Sequence, residues 1–189
     1  MSKELLIFPE DGATRDLILG FKESGRFKDS NVHVEKPGGG KLNTIRQLAS
    51  WMPDLMRFPN RKVLFVLDSD SDNGAVKFIW ESIATVINES LCASFCNAPK
   101  DRLTHEKNKL FDRVFLLSWT NELEDLKTVM GHGKTTDLGR KLADDIQPQS
   151  CGGFWQNPAL HKAMSHVHES GKTECDRVRE GLFPVLFKN

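Results

Sequence analysis

The segment KVLFVLDSDSDNG, residues 62–74, constrains the fold more than any other part of the chain. Its apolar run does not alternate with polar residues, which is typical of a strand buried on both faces of a sheet. The run leads into three aspartates at alternating positions, Asp68, Asp70 and Asp72. Clustered carboxylates raise one another's pKa values and destabilise the fold unless a cation neutralises them. The segment therefore predicts either a cation site at the end of a central strand or an acidic turn.

Strand-like and helix-like segments alternate along the chain up to about residue 130. The segments KELLIFP, NVHVEK, RKVLFVLD and DRVFLLSW are predicted strands, and most of the segments between them have helical spacing. The polar and basic segment 101–111 is instead predicted to be a loop. This alternation favours an α/β, Rossmann-like fold with a mostly parallel sheet and flanking helices. Residues 1–130 are expected to form this domain, and residues 131–189 a helical C-terminal extension packed on it.

Polar segments follow each predicted strand: FPEDG, EKPGGGK, LDSDSD and SWTNELED. The carboxyl ends of parallel strands meet at one edge of a sheet, and ligand sites gather there. We therefore expect these four segments to converge on one edge. The last of them would add Glu122 and Glu124 as secondary acidic candidates, although acids at a helix start are also favoured by the helix dipole alone.

The balanced charge of the chain counts against non-specific coating of DNA, but it says nothing about a local basic groove. The chain has 26 basic and 26 acidic residues, so no global field attracts it to nucleic acid or to a membrane surface. No segment approaches the roughly 20 apolar residues of a membrane span, and no signal peptide is visible, so a cytoplasmic location is expected.

In that compartment the four cysteines, Cys92, Cys96, Cys151 and Cys175, would be reduced. We expect them to be small buried residues rather than zinc ligands.

Two known acidic motifs fit the aspartates poorly. An EF-hand loop starting at Asp68 would need glycine at its sixth position and glutamate at its twelfth, but Asn73 and Ile79 stand there. A phosphatase of the haloacid dehalogenase type also has a strand that ends in Asp-x-Asp, with the first aspartate as nucleophile. That strand is normally the first of its domain, whereas here a strand–helix–strand unit precedes it. The phosphatase remains a minor alternative.

A magnesium site accounts for the aspartates best. Alternate residues of an extended segment point the same way, so Asp68 and Asp70 could reach one ion. Glu10 or Asp11, at the end of the first predicted strand, could supply a further carboxylate. Mg²⁺ prefers such oxygen ligands and keeps several waters. Glu10 and Asp11 could alternatively serve only as caps of the following helix.

Four segments together resemble the Toprim domain family, and most closely the small stand-alone Toprim-like and OLD-type nuclease proteins of bacteria and phages. The segments are LLIFPEDGATRD, EKPGGGKLNTIRQL, VLFVLDSDSD and FLLSWTNELEDL, and they span roughly residues 4 to 130 in the family's order. One departure is the string PEDGA, because the family has glycine directly after its glutamate. Glu10 is preferred over Asp11 as the family glutamate because it has the family's residue type.

The resemblance implies a role for each of these residues. Asp68 and Asp70 would hold Mg²⁺ or Mn²⁺, with Asp72 as a further ligand or only a turn residue. Glu10 would be a general base or a metal ligand. In the glycine-rich segment, phosphate could be bound by the residues Gly39, Gly40 and Lys41, although a plain turn explains the same residues.

The expected function is metal-dependent cleavage of DNA or RNA phosphodiesters, as in an effector of phage defence. Some Toprim nucleases act with an ATPase partner or as homo-oligomers, and either would supply substrate-binding surface. The main alternative is a catalytically inactive Toprim-like module that binds or regulates a defence or counter-defence partner. The interrupted PEDGA string favours that alternative.

Overall fold

A single all-parallel sheet organises the protein. The computed structural model describes residues 4–25, 27–28, 32–69, 73–119, 133–144 and 164–187. The four described strands lie in the order β2-β1-β3-β4 and are β1 (Leu5–Pro9), β2 (Val32–Val34), β3 (Lys62–Asp68) and β4 (Val114–Trp119). Every pair of neighbouring strands is parallel. The prediction of an α/β, Rossmann-like fold with a parallel sheet is confirmed.

Helices cover both faces of this sheet. The described helices are α1 (Gly12–Glu23), α2 (Lys41–Arg46), α3 (Leu48–Arg57), α4 (Asn73–Ser94), α5 (Lys100–Phe111), α6 (Thr135–Asp144), α7 (Glu174–Arg177), a π-helical turn (Val178–Leu182) and α8 (Phe183–Leu186). No described helix is long and apolar enough to cross a membrane.

The alternation of side chains along each strand divides the core into two layers. On β1, Leu5 and Ile7 pack with residues of α1, α6, the π-helical turn and α8. Leu6 and Phe8 face the other way and pack with residues of α2 to α5. The rings of Phe8 and Phe65, on neighbouring strands, stack with centroids 5.2 Å apart. The sheet is thus buried on both faces, as the uninterrupted apolar run of β3 predicts.

The described part of the C-terminal region belongs to the same core as the sheet. Leu138 of α6, Leu182 of the π-helical turn and Leu186 of α8 are buried in the cluster that contains Leu5 and Ile7. Short antiparallel bridges also join Val167 to Thr173 and Phe27 to Phe187. The region therefore completes one face of the sheet, and its described part is not purely helical. The boundary at residue 130 stays a prediction.

The predicted loop at 101–111 is wrong, because Lys100–Phe111 is the helix α5. Few apolar residues mark its buried side: Leu110 is buried, and Leu103 and Phe111 are partly buried against the core. Beyond its end, the side chain of Arg113 donates to the carbonyls of Leu55, Phe58 and Arg61. These bonds tie the segment after α5 to the end of α3, and long-range contacts of this kind override a weak helical pattern.

Two expectations about the cysteines are also wrong. Cys92 and Cys96 are exposed free thiols rather than buried apolar residues, because they lie at and just beyond the solvent-facing end of α4. Cys175 is disulfide-bonded, so the four cysteines are not all reduced. Cys151 lies outside the described residues.

Candidate functional site

Glu10 and Asp68 lie at the carboxyl ends of two neighbouring parallel strands. Glu10 follows β1, and Asp68 is the last residue of β3, whose residues 62–66 pair with β1. The strand order reverses between these two strands, because β2 lies on one side of β1 while β3 and β4 lie on the other. In open parallel sheets, ligands bind in the crevice outside the carboxyl ends at such a switch point. The topology therefore brings these two predicted site residues to the favoured location.

Three hydrogen bonds fix the position of Glu10. Its backbone N–H donates to the Val66 carbonyl at 3.1 Å, which continues the pairing of β1 with β3. Its side-chain Oε2 accepts the backbone N–H of Asp68 at 2.9 Å. Its carbonyl accepts the N–H of Gly39 at 3.0 Å. Glu10 is thus held against β3 on one side and against the glycine-rich turn after β2 on the other.

The surroundings raise the pKa of the Glu10 carboxyl group above its usual value. Burial is the largest cause, since it penalises the charged form. The hydrogen bond from Asp68 and the positive charge of Lys41 act in the opposite direction, while the negative charges of Asp68 and Asp11 add to the rise. A cation next to Glu10 would oppose the effect of burial and favour the ionised form.

Asp11 has a different role, because its carboxylate caps α1. Oδ1 of Asp11 accepts the N–H of Thr14 at 2.8 Å, and the Asp11 N–H donates to the Thr14 hydroxyl oxygen at 2.9 Å. This reciprocal pair is a capping box, with threonine in place of the more common glutamate. The geometry therefore assigns the helix cap to Asp11 and directs the carboxylate of Glu10 to β3.

The glycine-rich turn forms hydrogen bonds with Glu10 and within the start of α2, so it is not an open phosphate-binding loop. Gly39 and Gly40 have positive φ angles of 72° and 135°, which favour glycine. The N–H of Gly39 already donates to Glu10, and the carbonyl of Gly40 accepts from both the N–H and the hydroxyl of Thr44. Lys41 begins α2, and its charge acts on Glu10. Of the three predicted phosphate-binding residues, Lys41 is the one whose charge is placed near the carboxylates.

Several predicted site residues lie outside the described residues: Asp70, Asp72, Glu122 and Glu124. Among the residues that the structure describes, no group of three or more histidine, cysteine, aspartate or glutamate side chains is placed to hold a metal ion. The described part of the chain thus contributes two candidate ligands, Glu10 and Asp68. Carboxylate oxygens are hard ligands, which Mg²⁺ and Mn²⁺ prefer. A cation next to Glu10 would also oppose the rise in its pKa. Glu10 and Asp68 are therefore of the ligand type that a hard divalent ion prefers.

Two further side chains hold the ends of β3 and β4 together at this edge, and sequence reasoning missed both. The buried hydroxyl of Ser118 donates to the Leu67 carbonyl at 2.8 Å, and the hydroxyl of Ser69, together with its backbone N–H, donates to the Trp119 carbonyl. Serines at strand ends are common in turns, so no local signal separates them. They fix the backbone on either side of Asp68.

Glu35, which follows β2, is a third acid at the same edge. Its Oε1 accepts the indole N–H of Trp51 at 3.0 Å and lies 3.1 Å from Nε2 of His33. The Glu35 carboxylate therefore already has local partners. Its place directly after a predicted strand is the signal that could have singled it out.

The comparisons with known proteins add no family assignment, because no family model, no curated protein and no solved structure matches the chain.

The raised pKa of Glu10 predicts a pH-dependent difference in stability between the wild type and Glu10→Gln. An acid whose pKa is raised by folding destabilises the folded state where it is ionised, so stability falls as pH rises through the window above its unfolded value of about 4.5. Without divalent ions, the variant should therefore melt at a higher temperature than the wild type at pH 8. At pH 4, where Glu10 is largely protonated in both states, the difference should shrink.

Thermal denaturation in EDTA at the two pH values measures this difference. Glu89→Gln, at an exposed position on α4, is the control and should show no such trend. A Glu10→Gln protein that is less stable than the wild type at pH 8 would contradict the prediction.

Proposed function

We propose that this chain is a Toprim-like nuclease that cleaves nucleic-acid phosphodiesters with Mg²⁺ or Mn²⁺. The observation that carries the proposal is the contact between the Glu10 carboxylate and the Asp68 backbone, across the strand ends of the switch point. The order of two acids along the chain also supports the proposal: one acid follows β1, and another ends β3. The glycine-rich turn after β2 contacts the first of these acids.

Each described residue has a specific part in this proposal. Asp68 and Glu10 would hold the ion, together with Asp70 and Asp72 from the segment after β3. The ion, when bound, polarises the phosphodiester and lowers the pKa of the attacking water. Where Glu10 does not itself bind the ion, its carboxylate can accept the proton of that water, and its raised pKa brings it closer to the range that suits a general base. Lys41 offers a positive charge to the phosphate.

The net reaction is hydrolysis. The water oxygen forms a bond to phosphorus, its proton passes to Glu10, and the bond from phosphorus to the leaving oxygen breaks. The leaving oxygen takes a proton from solvent. The substrate is DNA or RNA, and phage defence is the setting that the motif order suggests. An ATPase partner or a second copy of the chain would extend the substrate-binding surface.

A non-catalytic binding module is the second candidate, and one observation favours it. The Glu10 side chain already accepts a hydrogen bond from Asp68, so the pair keeps its geometry without a cation. In that case the acids would serve the structure or a partner protein.

Metal binding and cleavage, measured on the same variants, test the proposal. Calorimetry with Mg²⁺ and Mn²⁺ and cleavage of plasmid DNA and of RNA should both detect the wild-type activity. Asp68→Asn and Glu10→Gln should reduce cleavage by about 100-fold or more, as expected for loss of a metal ligand or a general base. Asp11→Asn is the matched control, because asparagine caps a helix as well as aspartate, and it should retain activity within about threefold.

Each contrary outcome has a distinct meaning. Metal binding without cleavage of either nucleic acid would favour the binding module. Hydrolysis of p-nitrophenyl phosphate without phosphodiester cleavage would favour the phosphatase. A loss of activity in Asp11→Asn but not in Glu10→Gln would show that the family glutamate is Asp11.

A further inference from the structure

A second potential site lies away from the strand-end carboxylates. A cavity of about 540 Å³ lies between α4, α5 and residues 166–170, and its volume is within the range of about 300–1,000 Å³ that holds small molecules. Glu10, Asp68 and Lys41 are not among its lining residues. Whatever binds there does not have to contact the candidate metal site.

Aromatic rings form one wall of this cavity. The ring of Trp80 lies 5.2 Å from that of Phe111 and 4.7 Å, edge to face, from that of His168. The His166 ring is nearly parallel to the Trp80 ring, at 13° and 6.3 Å between centroids.

Burial lowers the pKa of His166, and the neighbouring charges of His168 and Arg177 lower it further against the opposing effect of Glu174. The lowered pKa favours the neutral form of the His166 ring. His166 is partly exposed and can offer a π-face to a flat ligand, whereas the Trp80 ring is buried beneath it and lies under the Arg177 guanidinium.

The charged groups beneath this wall are already engaged with one another. Arg177 donates from Nη1 to Glu174 at 2.9 Å and from Nη2 to the carbonyls of Phe111 and Val114 at 2.9 Å. His168 lies 2.5 Å from the same Glu174 carboxylate oxygen. Arg177, Glu174 and His168 therefore hold the floor in place, and a ligand would be bound by other groups.

The remaining polar lining carries both signs of charge. Lys107 forms no ion pair with another described residue, and the Lys77 amine lies 3.7 Å from Glu81 in a largely exposed pair. Exposed ion pairs of this kind contribute little to stability, so the amines of Lys77 and Lys107 can both reorient toward a bound anion. The carboxylates of Asp112 and Glu169 also line the cavity and can accept hydrogen bonds from amino groups.

We propose that this cavity binds a single nucleotide. A nucleotide of adenine, guanine or cytosine combines three features that match the lining: a flat base for the His166 ring, an exocyclic amino group for Asp112 or Glu169, and a phosphate for Lys77 and Lys107. Stacking of bases on aromatic rings contributes to affinity in nucleic-acid-binding proteins and tolerates any base. The inference rests on the cavity alone and does not depend on the proposed nuclease activity.

Calorimetric titration of the full chain with AMP, GMP, CMP and UMP in separate experiments tests this. At least one of them should bind saturably, and Lys77→Ala/Lys107→Ala should weaken that binding by at least about tenfold, as for loss of charge-assisted hydrogen bonds. Lys109→Ala is the matched control, because Lys109 lies on α5 but does not line the cavity. A single-stranded pentanucleotide of the preferred base is titrated in the same way. Tighter binding of the pentanucleotide would indicate that the cavity binds a nucleotide within a strand, and tighter binding of the mononucleotide would indicate a free nucleotide.

Glu10→Gln separates this inference from the proposed function. Nucleotide binding should be unchanged in Glu10→Gln even if that variant no longer binds metal. The inference is overturned if no nucleotide or pentanucleotide binds at millimolar concentration. It is also overturned if Glu10→Gln abolishes the binding while Lys77→Ala/Lys107→Ala leaves it intact.

Discussion

Glu174→Ala is expected to lower the free energy of unfolding by about 3–5 kcal/mol, the usual effect of removing one partner from a buried ion pair. Glu174 is fully buried, and its Oε2 accepts from Arg177, which is itself only 9% exposed. Its Oε1 accepts the backbone N–H of Leu116 at 2.8 Å, on the side of β4 that no described strand covers. The alanine variant would leave a buried guanidinium without its counter-ion and a buried strand N–H without its acceptor.

Urea denaturation followed by far-UV circular dichroism measures the loss, with the slope of the transition as a check that the two-state analysis still holds. Glu180→Ala is the matched control. Glu180 lies in the same C-terminal segment and contacts Lys172 and Arg179, but it is exposed, so its removal should change the midpoint little. Equal midpoints for the two variants would show that Glu174 does not hold the C-terminal segment to the sheet.

The sheet and the place of the first acids could be predicted from local patterns. The apolar run of β3 has no alternation and is the most apolar in the chain, which favours a central strand, and it does lie between β1 and β4. Parallel strands share a carboxyl edge, so the residues after β1 and at the end of β3 must come close together. The contact between Glu10 and Asp68 follows from this topology alone.

Which of two adjacent acids faces the other strand could not be predicted in this way. Glu10 and Asp11 differ by one position, and both can precede a helix. The distinction comes from the helix start: Asp11 and Thr14 bond reciprocally, so Asp11 becomes the cap and Glu10 remains the residue at the strand end. A threonine three residues after an N-cap aspartate is a weaker signal than glutamate at that position, and for this reason the string alone was ambiguous.

The structure of the C-terminal region depends on contacts that no local pattern indicates. Glu174 and Arg177 are three residues apart on a helix, which is the ordinary spacing of an exposed ion pair. Their burial arises from partners about 60 residues earlier, in Phe111, Val114 and Leu116. The cavity that we propose as a nucleotide site is built on these same contacts, so the sequence alone did not reveal it.

Gly139→Ala is expected to have the second large effect, by forcing α1 and α6 apart. A Cβ atom at Gly139 would lie 2.0 Å from the carbonyl oxygen of Leu17, and one at Gly20 would lie 2.1 Å from that of Thr136. Both obstacles are backbone atoms of helices, so no side chain can rotate to make room. Overpacking of a core costs about 1–3 kcal/mol and sometimes more, and we expect a loss near or above the upper end. The better helix propensity of alanine offsets at most about 1 kcal/mol of it.

The same urea titration measures this loss, with Gly133→Ala as the control. A Cβ at Gly133 would meet nothing within 4 Å, so that variant should match the wild type to within about 0.5 kcal/mol. α1 begins two residues after Glu10, so a displaced α1 acts on the strand end that carries the candidate site. Under the proposed function, folded Gly139→Ala should therefore also bind Mg²⁺ more weakly than Gly133→Ala does. Wild-type stability in Gly139→Ala would mean that the two helices do not pack backbone to backbone.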